Sequence, residues 1–245
     1  MIFRSTITLL FICATALSCT VLHQPNKVEW QRIGVSADQA NSGNIEILLA
    51  PYHDSLAGSM NIVIGEIGET LTKGNGESTL GNFVADALLY AGRQNYPKAD
   101  IALMNRGGYR LNEISRGPIT VGKAFELMPF DNLLLCIAMS GSQLFDMFEK
   151  PHFTTGGWPI AGATLIVHEG KLQSVLVNGQ ALQKDATYYI IVSDYLASGG
   201  DEMNLFKNLP VQNANYLQRD AVIDYIKFMS GKGMAIKPPL LNRVQ

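Results

Sequence analysis

The segment from Asn105 to Arg110 reads Asn-Arg-Gly-Gly-Tyr-Arg and has the residue types of a pocket floor for an anionic or polar ligand. It follows a short apolar run, residues 101–104, that is typical of a buried strand. Two adjacent glycines at a strand end let the backbone turn sharply and approach a ligand closely. Asn105 offers donors and an acceptor, and Arg110 offers a rigid cationic fork. A plain Gly-Gly hairpin with a surface arginine explains the same residues equally well, so this segment alone leaves both interpretations open.

Three further loops combine glycine, aromatic, amide or carboxylate residues beside predicted core strands: 128–132, 154–159 and 193–201. Loops at strand ends build the binding sites of α/β domains. Phe130 and Tyr195 are able to sandwich a flat ring, and stacking a base on an aromatic side chain is worth about 1–3 kcal/mol. Asp201 is able to accept hydrogen bonds from a pair of sugar hydroxyls. Taken singly, each aromatic residue is explained better as core or rim packing.

The elements that must position these loops follow from apolar periodicity. Helices are predicted at 45–60, 80–93, 123–127, 140–148 and 218–230, and strands at 101–104, 133–139, 163–168, 171–177 and 188–193. Pro51 is expected to kink the first helix or to end it early. Because hairpins and helical crossovers both occur, the prediction is an α/β fold, α+β-like in character, with a mixed sheet flanked by helices.

Composition sets the class of protein and excludes one class of partner. The chain has 245 residues, of which 47% are hydrophobic and 16% charged, and its net charge is -2. These values are ordinary for a chain that folds around a core. Because Lys and Arg are scattered, a nucleic acid polymer is not an expected partner.

The N-terminal residues 1–19 resemble an export signal. One positive charge at Arg4 precedes an apolar run from Ile7 to Leu17, which is too short for a comfortable transmembrane span. The run ends at Ser18-Cys19, which resembles the lipobox of bacterial lipoproteins, with Cys19 as the lipidated residue. Ordinary secretory cleavage is the alternative. The expected location is therefore exported, either anchored by a lipid on the periplasmic or cell-surface side of a bacterial membrane, or periplasmic or secreted.

Five segments in order resemble the C-terminal domain of the 5′-nucleotidase and UDP-sugar hydrolase family. They are 77–82, 105–110, 129–132, 156–159 and 194–201, and the resemblance extends across roughly residues 45–235. In that family this domain recognises the nucleoside. The resemblance therefore implies the fold of a 5′-nucleotidase C-terminal domain and a role in nucleotide catabolism.

The resemblance also implies a set of substrate-binding residues: Asn105, Arg110, Phe130, Asn132, Gly156, Tyr195 and Asp201. The rings of Phe130 and Tyr195 would sandwich the base, and Asn132 would read its edge. Asp201 would hold the ribose hydroxyls, and Gly156 would lie near the base. Arg110 would reach the phosphate end of the ligand, and Asn105 would reach its ribose side.

Two departures from the family pattern limit what the resemblance implies. The family brings additional arginine just before the helix at Leu80, where this chain has only the cation Lys73. An ammonium does not replace a bidentate guanidinium at a phosphate, so the phosphate grip is expected to be weaker unless Lys73 compensates. The family's two-metal catalysis belongs to a separate N-terminal metallophosphoesterase domain, and the four histidines here lie in no matching segment. No catalytic residue, metal ligand or cofactor is therefore expected in this chain.

These inferences predict the nucleoside- or nucleotide-recognition part of a 5′-nucleotidase-like hydrolase, working with a separate metallophosphoesterase chain that binds the divalent metals. A stand-alone surface lipoprotein that binds nucleosides or nucleotides without catalysis is the main alternative, and a remnant kept for an interaction surface is a third. The expected organisation is a signal peptide at 1–19, a tether at 20–44, a linker helix at 45–62, the domain at 63–235 and a tail at 236–245.

Overall fold

The computed structural model describes residues 30–31 and 43–245. The chain divides into two units, Met1–Leu48 and Leu49–Gln245. The predicted signal peptide, the Cys19 lipidation site and nearly all of the tether lie outside the described residues. Among the described residues, no helix combines the length and the apolar character that crossing a bilayer requires.

The helices agree with the predicted set and add short ones around the loops. They are α1 (Gly43–Met60), α2 (Thr79–Asn95), α3 (Val121–Leu127), α4 (Gly141–Phe148), α5 (Pro151–Thr154), α6 (Asp194–Ala197) and α7 (Gln218–Gly231). Side-chain caps fix several helix starts. Ser78 accepts from Gly81 N at the start of α2, and Ser140 forms a capping box with Gln143 at the start of α4.

Strands form one central sheet and three smaller sheets. They are β1 (Val63–Ile67), β2 (Leu71–Thr72), β3 (Ile101–Leu103), β4 (Glu113–Ile114), β5 (Gly117–Thr120), β6 (Leu133–Ser140), β7 (Ile160–Ala161), β8 (Ala163–His168), β9 (Lys171–Val177), β10 (Gln180–Ala181), β11 (Thr187–Ser193) and β12 (Val211–Leu217). The central sheet has the order β12-β6-β11-β3-β7, and the smaller ones pair β10-β9-β8, β1-β5 and β2-β4. Strands β11 and β3 run parallel while the other central pairs are antiparallel, which confirms the predicted mixed sheet.

Both faces of the central sheet are buried at its inner strands, and β11 shows how. Ile191 belongs to a core cluster with α2 and α7, while Ile190 and Val192 belong to a second cluster with α4, β8 and β9. Successive side chains of a strand point to opposite faces, so a continuous apolar run supplies both clusters. Helix α2 approaches β11 closely at Gly92, where a Cβ atom would lie 2.5 Å from Ile191 Cγ1.

The helix predicted from Ile45 does not end at Pro51. Helix α1 continues through that residue to Met60. Proline removes a single N–H donor from a helix, and here the residues on both sides of it keep helical backbone. Of the two expected effects of Pro51, a kink or an early end, the early end is therefore wrong.

The segment expected as a tail lies against the domain. Ile236 forms an isolated bridge with Ile67, and Val244 forms another with Leu165. Near its end, the buried guanidinium of Arg243 donates to Ile160 O at 2.7 Å and to Asp86 Oδ2 at 2.8 Å. The carboxylate of Glu77 accepts from the backbone N–H groups of Leu241 and Arg243. These contacts fasten the chain end to α2 and β8.

Cys136 in β6 is a buried core residue, and its thiol is expected to be inert in the native protein. Burial, followed by the charge of Asp100, raises the pKa of Cys136 to about 11. Because the thiolate is the reactive form, a thiol reagent at pH 8 is expected to label Cys136 only after denaturation. Reaction with a chromogenic disulfide reagent, with a Cys136→Ala variant to assign the signal, measures this. Rapid labelling of native Cys136 would contradict the burial of β6.

Candidate functional site

Three of the four predicted binding loops, 105–110, 128–132 and 193–201, meet in one cleft of about 310 Å³. This volume is within the range of small-molecule sites. The lining residues are Asn105, Gly107, Gly108, Arg110, Phe130, Asn132, Tyr195 and Asp201. Segments separated by up to about a hundred residues thus converge, and six of the seven residues predicted to bind substrate line the same cleft.

Asn105 lies at the end of β3 and is 5% exposed. Its backbone carbonyl oxygen accepts a hydrogen bond from Gly108 N at 3.0 Å. Its side-chain Nδ2 donates to Asp201 Oδ2 at 2.7 Å. This bond fixes the amide orientation, since a flipped amide would set its oxygen against the carboxylate. Asn105 Oδ1 is buried and has no hydrogen-bond partner within the described residues. Buried acceptors are normally paired, so this oxygen is a candidate to receive a ligand donor.

Asp201 is held in a sparsely populated backbone conformation. Its φ of 48° and ψ of 43° lie in the left-handed region, Glu202 follows with φ 64°, and Gly199 precedes with φ 93°. Each such non-glycine residue costs on the order of 1 kcal/mol and persists only where its surroundings fix it. Here the fixing contacts are the bonds to Asn105 and to the Tyr195 hydroxyl, which donates to Asp201 Oδ1 at 2.8 Å. This left-handed backbone conformation places the carboxylate of Asp201 at the cleft.

Tyr195 presents a half-exposed ring beside this carboxylate. It lies in α6, which the Ser193 side chain caps by accepting from Leu196 N. A Cβ atom on Gly200 would lie 2.5 Å from the Tyr195 ring, so this turn requires glycine for the ring to remain in place. The hydrogen bond to Asp201 raises the pKa of Tyr195, which keeps the hydroxyl protonated as a donor.

Phe130 and Asn132 lie in the loop between α3 and β6. The Phe130 ring is 39% exposed, and the Arg110 guanidinium carbon lies 4.9 Å from its centroid. The backbone of this loop is fixed by α7, because Gln218 N donates to Asn132 O at 2.9 Å. The cleft therefore has exposed aromatic rings on two loops, one cation and one carboxylate.

Arg219 positions the same loop and was not predicted from the sequence. Its buried guanidinium pairs with Asp131 Oδ1 at 2.6 Å and donates to Met128 O at 3.2 Å. The guanidinium also lies 4.0 Å from the centroid of the Phe125 ring. An arginine in the first turn of a helix about ninety residues downstream gives no sequence signal for such a role.

Lys73 and Arg106 hold the 105–110 turn against the segment before α2. Lys73 Nζ donates to Arg106 O and Tyr109 O, each at 2.8 Å, and lies 4.1 Å from the Tyr109 ring centroid. Arg106 donates to Gly74 O and, at 3.0 Å, to Asn75 Oδ1. These hydrogen bonds therefore hold the turn in place against the segment before α2.

The structure does not bring Gly156 into the cleft. Its φ of 69° requires glycine, and its backbone packs beside Glu77, where a Cβ atom would lie 3.2 Å from Glu77 N. It lines a separate depression with Glu77, Trp158 and Arg243. Gly156 therefore lies outside the cleft, because its loop is packed against the start of α2.

Among residues 30–31 and 43–245, no three His, Cys, Asp or Glu side chains are grouped so that they could hold a metal ion. The cleft itself contains one carboxylate, Asp201, and both of its oxygens are hydrogen-bonded. The residues that line the cleft offer rings for stacking, acceptors for ligand hydroxyls and a cation.

Comparisons with known proteins identify the family of the domain. The family model of the 5′-nucleotidase C-terminal domain matches residues 63–208. A 5′-nucleotidase of Vibrio cholerae is 28% identical over 188 residues, which cover 75% of this chain and 31% of that protein. The cell wall protein Lmo0130 of Listeria monocytogenes is 28% identical over 175 residues, which cover 65% of this chain and 22% of that protein.

A solved structure shows the same fold. The 5′-nucleotidase precursor from Thermus thermophilus matches with a TM-score of 0.68 and 26% identity, over 82% of this chain and 42% of that one. The chain spans about a third of the length of the Vibrio cholerae relative and less than half of the Thermus thermophilus protein.

Proposed function

This chain belongs to the family of 5′-nucleotidase C-terminal domains, and from that premise we propose that it recognises the nucleoside part of a nucleotide for a 5′-nucleotidase-like phosphoester hydrolase. The observation that carries the proposal is the convergence of Phe130, Tyr195 and Asp201 on one cleft. The two rings stack the base, and the carboxylate accepts from the ribose hydroxyls. Asn132 reads the base edge.

We assign the hydrolytic step to a separate metallophosphoesterase chain. Phosphomonoester hydrolysis is among the slowest uncatalysed reactions, and enzymes that perform it commonly use two metal ions to stabilise the attacking and leaving oxygens. Divalent metals are therefore assigned to the partner and none to this chain. The partner supplies the metals, and this chain orients the nucleotide.

We also propose that the protein works outside the cytoplasm, either lipidated at Cys19 and membrane-anchored or released as a periplasmic or secreted protein. The apolar run that ends at Ser18-Cys19 supports export. One relative bears the name of a cell wall protein, which is consistent with an exported family member.

A nucleotidase assay tests whether this chain and a metallophosphoesterase chain act together. Each metallophosphoesterase chain of the source organism is assayed with and without this chain. A rate gain is expected with one of them. A Phe130→Ala form of this chain is the matched control, and it should lose most of the gain because it lacks one stacking ring.

Binding without any rate gain would instead favour the second candidate function, a surface protein that captures nucleosides. One observation favours that alternative: among the described residues that line the cleft, Arg110 is the single cation, which suits ligands with little or no phosphate. Absence of both binding and rate gain would contradict both functions.

A further inference from the structure

The carboxylate of Glu77 is hydrogen-bonded inside the protein although Glu77 does not line the cleft. Its side chain is 13% exposed. Glu77 Oε1 accepts from Asn82 Nδ2 at 2.7 Å and from Leu241 N at 2.9 Å. Its other oxygen, Oε2, accepts from Arg243 N at 2.8 Å. One carboxylate therefore collects two backbone donors from segment 236–245 and one side-chain donor from α2.

These bonds fix the backbone of segment 236–245 on both sides of a left-handed residue. Asn242 has φ 51° and lies between the two residues whose N–H groups reach Glu77. Such a conformation persists only where the surroundings fix it. The acceptor must be a carboxylate to serve both donors, since a glutamine amide replaces one acceptor oxygen by an N–H donor.

The backbone just before this carboxylate holds the 105–110 turn of the cleft. The Arg106 guanidinium donates to Gly74 O and to Asn75 Oδ1. Lys73, at the start of the same segment, donates to two backbone carbonyls of the turn. The turn itself lines the cleft. Residues 73–77 are therefore bonded to the cleft at one end and to segment 236–245 at the other.

The remaining anchors of segment 236–245 involve other elements. One end of the segment pairs with β1 and the other with β8. The Arg243 guanidinium donates to Asp86 in α2. By contrast, Glu77 belongs to a segment that is itself hydrogen-bonded to the turn. This contact therefore connects segment 236–245 to the cleft.

We propose, resting on the proposed function, that Glu77 is a positioning residue that links segment 236–245 to the cleft. While its carboxylate holds the N–H groups of Leu241 and Arg243, residues 73–77 keep the turn in the geometry that receives the nucleoside. Loss of these bonds loosens the turn and lowers affinity, although Glu77 does not touch the ligand.

Hydrogen exchange on the unliganded protein tests the link. Gly108 N–H donates to Asn105 O, and Arg110 N–H donates to Leu127 O, so both amides report on the turn. Glu77→Gln keeps the shape of the side chain and sets an amide nitrogen against one backbone donor. It is expected to speed exchange at both amides by about tenfold, the scale of one hydrogen bond to a charged group.

Leu241→Pro tests the same bond from its donor side and serves if Glu77→Gln does not fold. Leu241 is 56% exposed, so the substitution leaves the core intact. Exchange at the two turn amides is again expected to quicken by about tenfold.

Ile137→Val is the control for a loss of stability alone. Ile137 is a buried residue of β6 that pairs with β11 and β12. Its variant should lower Tm and leave both turn amides at the parent rate when they exchange by local opening. Parent exchange rates in a folded Glu77→Gln or Leu241→Pro, or an equal acceleration in Ile137→Val, would overturn the link.

Calorimetric titration with adenosine and AMP tests the consequence for binding. Glu77→Gln is expected to weaken both ligands by about threefold to tenfold, since it loosens the turn that lines the cleft. Ile137→Val should change affinity by less than about twofold, because it is an independent site. Unchanged affinity in a Glu77→Gln protein whose turn amides exchange faster would overturn the positioning role. A parent that binds neither ligand would contradict the proposed function, and the positioning role with it, even where the exchange rates confirm the link.

Discussion

Tyr195→Ala is expected to weaken adenosine binding by about 5- to 150-fold, the range that corresponds to losing one base-stacking interaction of about 1–3 kcal/mol. The ring is half-exposed at the cleft, and its hydroxyl holds one oxygen of Asp201. The substitution therefore removes a stacking surface and a support for the strained carboxylate together. Isothermal titration calorimetry measures the change in dissociation constant.

Tyr195→Phe is the matched control for that result. It keeps the ring and removes only the 2.8 Å hydrogen bond to Asp201 Oδ1. Its expected loss is less than about fivefold, since a hydrogen bond contributes on the order of 1 kcal/mol. Equal losses in the two variants would mean that the ring does not stack the base, and an alanine variant that binds as tightly as the parent would contradict the site.

Arg243→Met is expected to lower the free energy of unfolding by about 3 kcal/mol. The guanidinium is buried and forms ion pairs with Asp86 at 2.8 Å and with Glu77 at 4.0 Å. Removing the guanidinium leaves the Asp86 carboxylate and the carbonyl of Ile160 without the donor that it supplies. For a domain of this size, the loss corresponds to a fall in Tm of roughly 6–12 °C.

Thermal unfolding followed by circular dichroism measures this effect, and Arg116→Met serves as the control because Arg116 is exposed. The control should unfold within about 2 °C of the parent, since surface substitutions are usually worth less than about 0.5 kcal/mol. A parent-like Tm for Arg243→Met would show that the C-terminal segment is not fastened to α2 as described.

Five of the helices, α1 to α4 and α7, and the inner strands β3, β6 and β11 of the central sheet were predictable because their signals are local. Helix α2 has apolar residues at helical spacing and a serine cap, and β11 is a continuous apolar run between turn signals. Strand β12 was not predicted, because it is an exposed and polar edge strand in which Asn215 has φ 53°. Strands as short as β2 and β4 carry too few residues for a period to show.

The residues that line the candidate site could be predicted from the sequence, but the residues that hold them in place could not. Asn105, Arg110 and Asp201 belong to segments that a family resemblance identifies, and the structure places them together. The supporting roles of Lys73, Arg219 and Arg243 depend on contacts between distant segments, which no spacing encodes. Gly156 was misplaced for the same reason, since its loop packs on Glu77 and not at the cleft.

Calorimetric titration of the protein with adenosine, AMP and a UDP-sugar, repeated with Phe130→Ala, tests the central claim most directly. We expect saturable one-to-one binding of at least one of these ligands to the parent, weakened by about 5- to 150-fold in the variant through the loss of one stacking ring. A parent that binds none of the three, or a folded Phe130→Ala that binds them as tightly as the parent, would contradict nucleoside recognition by this cleft.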